Sequence, residues 1–99
     1  MVSAPEVERV LPALPAELTH VQAPSWLQQA EQAVLAAPAG STLVLDARAL
    51  QVFDSSALAV LLALRRALLR RGLSWRIEGL PARLRTLAGV YGVDELLPA

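Results

Sequence analysis

The stretch Phe53-Asp54-Ser55-Ser56-Ala57-Leu58 decides the fold of this chain, because it leads from a buried strand into a long apolar helix. Residues 55–71 contain neither Gly nor Pro and are followed by Gly72, so a helix from Asp54 to Arg71 is predicted. Asp54 is expected to be the N-cap, since a carboxylate accepts hydrogen bonds from the free N–H groups of a first helical turn.

Two adjacent hydroxyls, Ser55 and Ser56, lie at the predicted start of this helix. They fit a first turn as ordinary polar residues. They are also placed where a phosphate would lie at the positive end of the helix and accept backbone hydrogen bonds. Phosphorylation would add about two negative charges to an otherwise uncharged surface, enough to repel an acidic or apolar partner.

A strand is predicted on either side of the helix. Before it, Ser41 to Ala47 includes Leu43-Val44-Leu45, and three consecutive large apolar residues indicate a strand covered on both faces. After it, apolar and polar residues alternate from Leu73 to Glu78, which predicts a strand with one polar face. The two strands should be parallel with a right-handed crossover, and residues 48–53 are predicted to be a short connection.

The N-terminal part of the chain is predicted to form edge strands and a helix. Pro12 and Pro15 exclude a central strand, so short edge strands are expected at residues 7–11 and 16–18. A helix should follow the turn at residues 19–23, opening at Pro24 or Ser25 and ending before Pro38-Ala39-Gly40. Its apolar face consists of Trp26, Leu27, Ala30, Ala33, Val34 and Ala37.

A third helix is predicted from Pro81 to Tyr91, ended by Gly92, with a last helical turn at residues 93–97. Its inward residues are expected to be Leu84, Leu87, Ala88 and Tyr91.

The helix that begins after Asp54 has two distinct sides at 100° per residue. The side expected to face the core consists of Ala57, Leu61, Leu64 and Leu68. The opposite stripe consists of Ser55, Ala59, Ala63, Arg66 and Arg70, with Leu62 beside it. A solvated face usually carries charge along its whole length, but the first two turns of this stripe are small or apolar. The stripe is therefore either a partner surface or a consequence of the high helix propensity of Ala.

Length and composition are those of one small domain. The chain has 99 residues, 55% of them hydrophobic, and no cysteine. No apolar run approaches a membrane span of about 20 residues, and the N-terminus does not resemble a signal peptide, so a cytoplasmic location is expected. Residues 1–5 are expected to be disordered.

Charge is balanced overall but divided along the chain. Residues 1–64 hold two Arg and six acids, whereas residues 65–99 hold seven Arg and three acids, and there is no Lys. Nucleic-acid binding is not expected, because it usually requires net positive charge and a basic stripe with aromatic residues.

The residues offer little for catalysis. His20 is the only histidine, and a Ser-His-Asp set built from Ser55 or Ser56, His20 and Asp46 or Asp54 has no support from spacing. There is no metal-ligand cluster, P-loop or dinucleotide fingerprint. No enzyme activity, cofactor or metal is therefore predicted.

Three motifs are distinctive: Leu43-Val44-Leu45-Asp46, Phe53-Asp54-Ser55-Ser56-Ala57-Leu58 and Leu87-Ala88-Gly89-Val90-Tyr91-Gly92-Val93-Asp94-Glu95-Leu96-Leu97-Pro98. Together they resemble the STAS domain, a family named after sulphate transporters and anti-sigma factor antagonists. The resemblance is clearest over residues 42–98, and Thr19-His20 is also similar to many members. It implies a single α/β domain over residues 1–99, with a mixed β-sheet, helices mainly on one face and no catalysis of its own.

Two branches of that family remain open. In anti-sigma factor antagonists, a partner kinase that is also the anti-sigma factor phosphorylates the second hydroxyl after the Asp, which corresponds to Ser56. In the STAS subunit of Mla-type phospholipid-transporting ABC systems, the hydroxyl directly after the Asp contacts the ATPase subunit, and this corresponds to Ser55. Both branches usually have Gly where this chain has Ala57, so close approach of a partner there is in question.

The C-terminal motif looks more like the transporter subunit, which is the favoured interpretation. It implies an ABC ATPase as the partner and a membrane association only through the transporter complex. The residues predicted to bind the partner are Asp54, Ser55, Ser56, Ala59, Leu62, Ala63 and Arg66, and the phosphorylation candidates are Ser56 and Ser55.

Overall fold

The computed structural model describes residues 7–98. The expected disorder of residues 1–5 lies outside this range. The described residues form five strands and three helices, followed by a 3-10 helix at Asp94–Leu96. The strands are β1 (Glu8–Val10), β2 (Glu17–Leu18), β3 (Thr42–Asp46), β4 (Val52–Phe53) and β5 (Ser74–Glu78). The helices are α1 (Ala23–Ala36), α2 (Ser55–Arg70) and α3 (Ala82–Val90).

The predicted α/β class is confirmed, and the strands form two small sheets. β3 lies between β1 and β5 in the larger sheet, and β2 pairs with β4 in the smaller one. The predicted parallel pairing of β3 with β5 is confirmed, with Leu43 opposite Trp75 and Leu45 opposite Ile77. One detail differs from the expected mixed sheet, because every strand pairing within the described residues is parallel.

The parallel pairing follows from the course of the N-terminal segment. This segment does not fold back as a hairpin after β1, but continues beside β3 and then beside β4. Leu11 N donates to Val44 O, Leu14 N to Asp46 O, and Gln51 N to Ala16 O. Pro12 and Pro15 have no backbone N–H to donate, so the strand pairing of this segment is interrupted after β1 and resumes at β2. The two predicted edge strands are thus confirmed, each shorter than expected.

The core lies between one face of the larger sheet and the helices. Leu43 and Leu45 of β3 are fully buried there. The alternate residues Thr42, Val44 and Asp46 are only half-buried, so the prediction that both faces of β3 are covered was wrong. No helix packs over that second face in residues 7–98, and its apolar residue Val44 lies between Val10 of β1 and Arg76 of β5.

Ion pairs occupy the face of the sheet away from the helices. Arg76 of β5 bridges Glu8 of β1 and Glu78. At the end of β3, Asp46 pairs with Arg48 at 2.9 Å. The hydrogen bond from the Arg48 side chain, followed by that from its backbone N–H, lowers the pKa of Asp46 to about 2.

The helix boundaries agree closely with those predicted. α2 begins directly after Asp54. Beyond its last residue the chain turns at Gly72, which has φ of +66°. All four residues expected on its core side are buried. The predicted connection at residues 48–53 was wrong in part, since Val52–Phe53 forms strand β4 against β2.

The third helix differs from its prediction at one residue. Leu84 and Ala88 are buried and Leu87 is half-buried, as expected. Tyr91, predicted to face inward, is 58% exposed. α3 ends at Val90, and the chain turns back so that Val93 N donates to Ala88 O. Leu97 then lies buried in the core, and Tyr91 is left at the surface.

Candidate protein-binding surface

The start of α2 is fixed by Asp54, which confirms the predicted N-cap. Its Oδ1 accepts a hydrogen bond from Ser56 N at 2.8 Å. Its Oδ2 accepts one from His20 N at 3.2 Å, and the His20 ring Nδ1 lies 3.5 Å from the same oxygen. The carboxylate therefore joins the first turn of α2 to the turn that precedes α1.

Two opposing effects act on the ionisation of Asp54. Desolvation would raise its pKa, but the hydrogen bonds from Ser56 and His20 together lower the pKa below its usual range. Hydrogen bonds to an ionised carboxylate favour the charged form. The carboxylate is thus held in its charged form and already accepts one first-turn N–H, that of Ser56.

The three residues after the cap have different environments. Ser55 is exposed and Ser56 is half-buried. Ala57 is fully buried. The methyl group that Ala57 has and Gly lacks therefore lies in the core. It does not obstruct a partner at the surface.

A groove lies between α2 and the C-terminal end of α3. We call it the α2–α3 groove; its volume is about 340 Å³, and its lining residues are Ser55, Leu58, Ala59, Leu62, Tyr91 and Val93. None of these side chains is charged. Tyr91 is the largest exposed residue at its rim, so its ring is accessible to a partner that enters the groove.

A second groove lies on the other side of α2, between α2 and α1. This α1–α2 groove is lined by His20, Ala23, Pro24, Leu27, Ser56, Ala59, Val60 and Ala63. Ala59 lines both grooves, so it forms the ridge between them. A small residue at this ridge allows another chain to approach the helix closely.

The second half of α2 is cationic on the same side. Arg66 and Arg70 are exposed, and they continue the stripe that begins at Ser55 and Ala59. Arg71 does not belong to it, because its guanidinium donates to backbone carbonyls at the end of α1. The stripe thus changes from apolar to basic along its length.

The structure places the seven predicted partner-binding residues on one continuous surface. Asp54, Ser55 and Ser56 form its start, Ala59, Leu62 and Ala63 its middle, and Arg66 its basic part. Sequence reasoning missed His20 and Tyr91 as members. The position of His20 in a turn was foreseen, but its approach to Asp54 joins residues 34 positions apart, and no local pattern indicates that contact.

No other chemistry is assembled in residues 7–98. No group of three or more His, Cys, Asp or Glu side chains there could hold a metal ion. Of the residues considered for a Ser-His-Asp set, His20 and Asp54 do come together, whereas Asp46 pairs with Arg48. Among the described helices, none is long and apolar enough to cross a membrane.

Comparison with known families decides the assignment. A family model described as "Mlab, STAS domain" matches residues 6–98. The chain belongs to the STAS domain family. The match covers nearly the whole chain, so the predicted family is confirmed. A comparison with curated proteins gives no significant match.

Solved structures support the STAS fold independently. A sulfate transporter family protein from Wolinella succinogenes superposes with a TM-score of 0.73 at 18% identity, over 97% of this chain and 75% of that one. The STAS domain of a SulP transporter from Vibrio cholerae gives 0.68 at 18% identity, over 96% and 71%. At this identity the likeness establishes the fold alone.

Proposed function

We propose that this STAS domain is a non-enzymatic subunit that binds and supports the ATPase of an Mla-type phospholipid ABC transport system, on the cytoplasmic side of the membrane. The description of the matching family as "Mlab, STAS domain" supports this branch. So does the C-terminal motif, in which Tyr91 and Gly92 are followed by the last helical turn.

The observation that carries the proposal is the uncharged ridge of α2 between two grooves. Ser55 and Ala59 are exposed, yet no charged side chain lines the α2–α3 groove. Apolar surface that is continuous with grooves is typical of a protein contact site. The ridge is held in place, because Asp54 fixes the start of the helix and seven residues of α2 are buried.

Binding to the purified ATPase subunit tests the proposal. Ala59→Glu places a charge on the ridge, and burying that charge in an interface without a partner should weaken binding by about tenfold or more. Ser55→Arg should have a similar effect through bulk and charge. Ala36→Glu is the matched control, since Ala36 is also an exposed alanine in a helix but lies at the far end of α1.

Dissociation constants from calorimetry decide the outcome, with circular dichroism used to confirm folding. Normal binding by Ala59→Glu and Ser55→Arg would refute the ridge as the docking face. Loss of binding in Ala36→Glu as well would indicate a general effect of added charge. Failure of the unchanged protein to bind the ATPase at all would refute the proposed function.

A further inference from the structure

We propose that the partner of the α2 ridge is an acidic protein surface, whose carboxylates pair with Arg66 and Arg70 while its apolar side chains occupy the α2–α3 groove. This inference rests on the proposed function and adds the chemistry of the partner.

The first argument is that the arginines of α2 are unpaired. The side chains of Arg65, Arg66 and Arg70 form no ion pair or hydrogen bond with any residue from 7 to 98. α2 contains no acidic residue that could neutralise them. Glu31 of α1 and Arg70 line a further pocket between the C-terminal parts of α1 and α2, yet the two do not form an ion pair.

The second argument is that most other arginines are already engaged. Arg48 and Arg76 pair with carboxylates, and Arg85 donates to Pro98 O. The guanidinium of Arg83 lies 5.0 Å from the centre of the Phe53 ring. Among the described arginines, only Arg9 shares the unpaired state of the three on α2. Free positive charge is thus concentrated on the helix that carries the ridge.

The third argument is geometric. Along α2, Arg66 follows Ser55, Ala59 and Leu62 at helical spacing, so its charge adjoins the α2–α3 groove. Leu69 is 58% exposed beside it. A partner that fills the groove therefore meets the guanidinium groups at one end of the contact. Arginine suits this position, because its planar group binds carboxylates in a bidentate manner.

A membrane surface fits these observations less well. Helices that bind anionic lipid insert large apolar side chains below the head groups. The leucines Leu61, Leu64 and Leu68 face the core. Leu69 is the single exposed leucine of α2, while the ridge itself offers Ser55 and Ala59. An acidic protein surface accounts both for the unpaired arginines and for the shallow ridge.

The test compares Arg66→Gln/Arg70→Gln with the unchanged protein in binding to the purified ATPase subunit at about 0.1 M and about 0.5 M NaCl, since screening acts over these concentrations. The double variant should bind about tenfold more weakly at low salt, because two partly exposed ion pairs are lost. Its affinity should also depend much less on salt. Arg9→Gln, which removes an unpaired arginine from β1, is the control and should change neither quantity.

Each outcome has a defined meaning. Unchanged affinity and salt dependence in the double variant, with normal binding by the unchanged protein, would overturn this inference and leave the proposed function standing. No binding by the unchanged protein would overturn both. Arginine-dependent retention on phosphatidylglycerol vesicles, or an arginine-dependent dimer of this chain in sedimentation, would assign the charges to lipid or to a second copy and would also overturn the inference.

Discussion

The guanidinium of Arg71 donates a hydrogen bond to the carbonyl oxygen of Leu35 at 2.6 Å. The same group donates to Val34 O at 3.1 Å and to Ala37 O at 3.0 Å. These carbonyls lie at the C-terminal end of α1, where no further helical turn supplies donors. One side chain after α2 therefore caps α1 and joins the ends of the two helices that flank the α1–α2 groove.

Replacing Arg71 should destabilise the fold. Arg71→Ala leaves three carbonyls without their charged donor, and we expect the free energy of unfolding to fall by about 1–3 kcal/mol. Arg71→Lys should recover only part of this, because one ammonium group cannot reproduce the fork of a guanidinium. Urea unfolding measures the change. Arg70→Ala, one residue earlier and exposed, is the control, and an equal loss there would contradict the capping role.

The cap at Asp54 predicts an acid-dependent loss of stability. Asp54→Ala should lower the melting temperature at neutral pH by about 4 °C, whereas Asp54→Asn should retain much of the cap. Because the folded-state pKa is lowered, the stabilisation by the ionised group is complete above the unfolded pKa of about 4 and is lost as the pH falls through the folded pKa.

Thermal unfolding from neutral pH downward measures this effect. The difference in melting temperature between the unchanged protein and Asp54→Asn should shrink below about pH 4, where the unfolded carboxyl begins to protonate. A difference that grows on acidification would mean that the ionised carboxylate does not stabilise the helix.

Local patterns in the sequence predicted the elements more reliably than their surroundings. The 3.6-residue period of α2, the Asp54 cap and Gly72 are local signals, and all three held in the structure. Coverage of β3 is not local: three apolar residues in succession suggested two covered faces, but no described helix packs behind Val44.

The candidate surface shows the same limit. The stripe from Ser55 to Arg66 follows from helical spacing alone. His20 and Tyr91 reach it through tertiary contacts, one by the hydrogen bond to Asp54 and the other because the chain turns back after α3. Helical spacing alone predicted that Tyr91 faces the core, because a helical wheel does not show where the neighbouring elements end.

The exposure of Tyr91 separates binding from stability. Tyr91→Ala should leave the free energy of unfolding within about 0.5 kcal/mol, since exposed side chains contribute little. It should weaken binding to the ATPase by about tenfold, because tyrosine is enriched among the few residues that carry most of the binding energy of an interface. Leu84→Ala, on the buried side of α3, should instead cost about 2–5 kcal/mol of stability. A large loss of stability in Tyr91→Ala would instead indicate that the Tyr91 side chain packs in the core.

The anti-sigma factor antagonist branch predicts that Ser56 is phosphorylated, whereas the proposed transporter role predicts that it is not. The proposed role uses Ser55 and Ser56 as unmodified contact residues, and a phosphate at Ser56 would add negative charge to that surface beside the Asp54 carboxylate. We therefore expect no phosphate on Ser56 or Ser55 in protein isolated from growing or stressed cells. Mass spectrometry of the intact protein and its peptides measures this. A substantial phosphorylated fraction at Ser56 would favour the anti-sigma factor antagonist.

Trp26 gives a final test of how the N-terminal segment is held. Its indole Nε1 donates to Ala13 O at 3.0 Å, between Pro12 and Pro15, and its side chain, which projects from the first turn of α1, is buried. Trp26→Phe keeps most of the apolar contact but removes the donor, so stability should fall by about 1 kcal/mol. Trp75→Phe is the control, because no hydrogen bond from the Trp75 side chain to a residue in 7–98 is present. Urea unfolding followed by circular dichroism compares the two; equal losses would show that ring size, and not the bond to Ala13, anchors the segment.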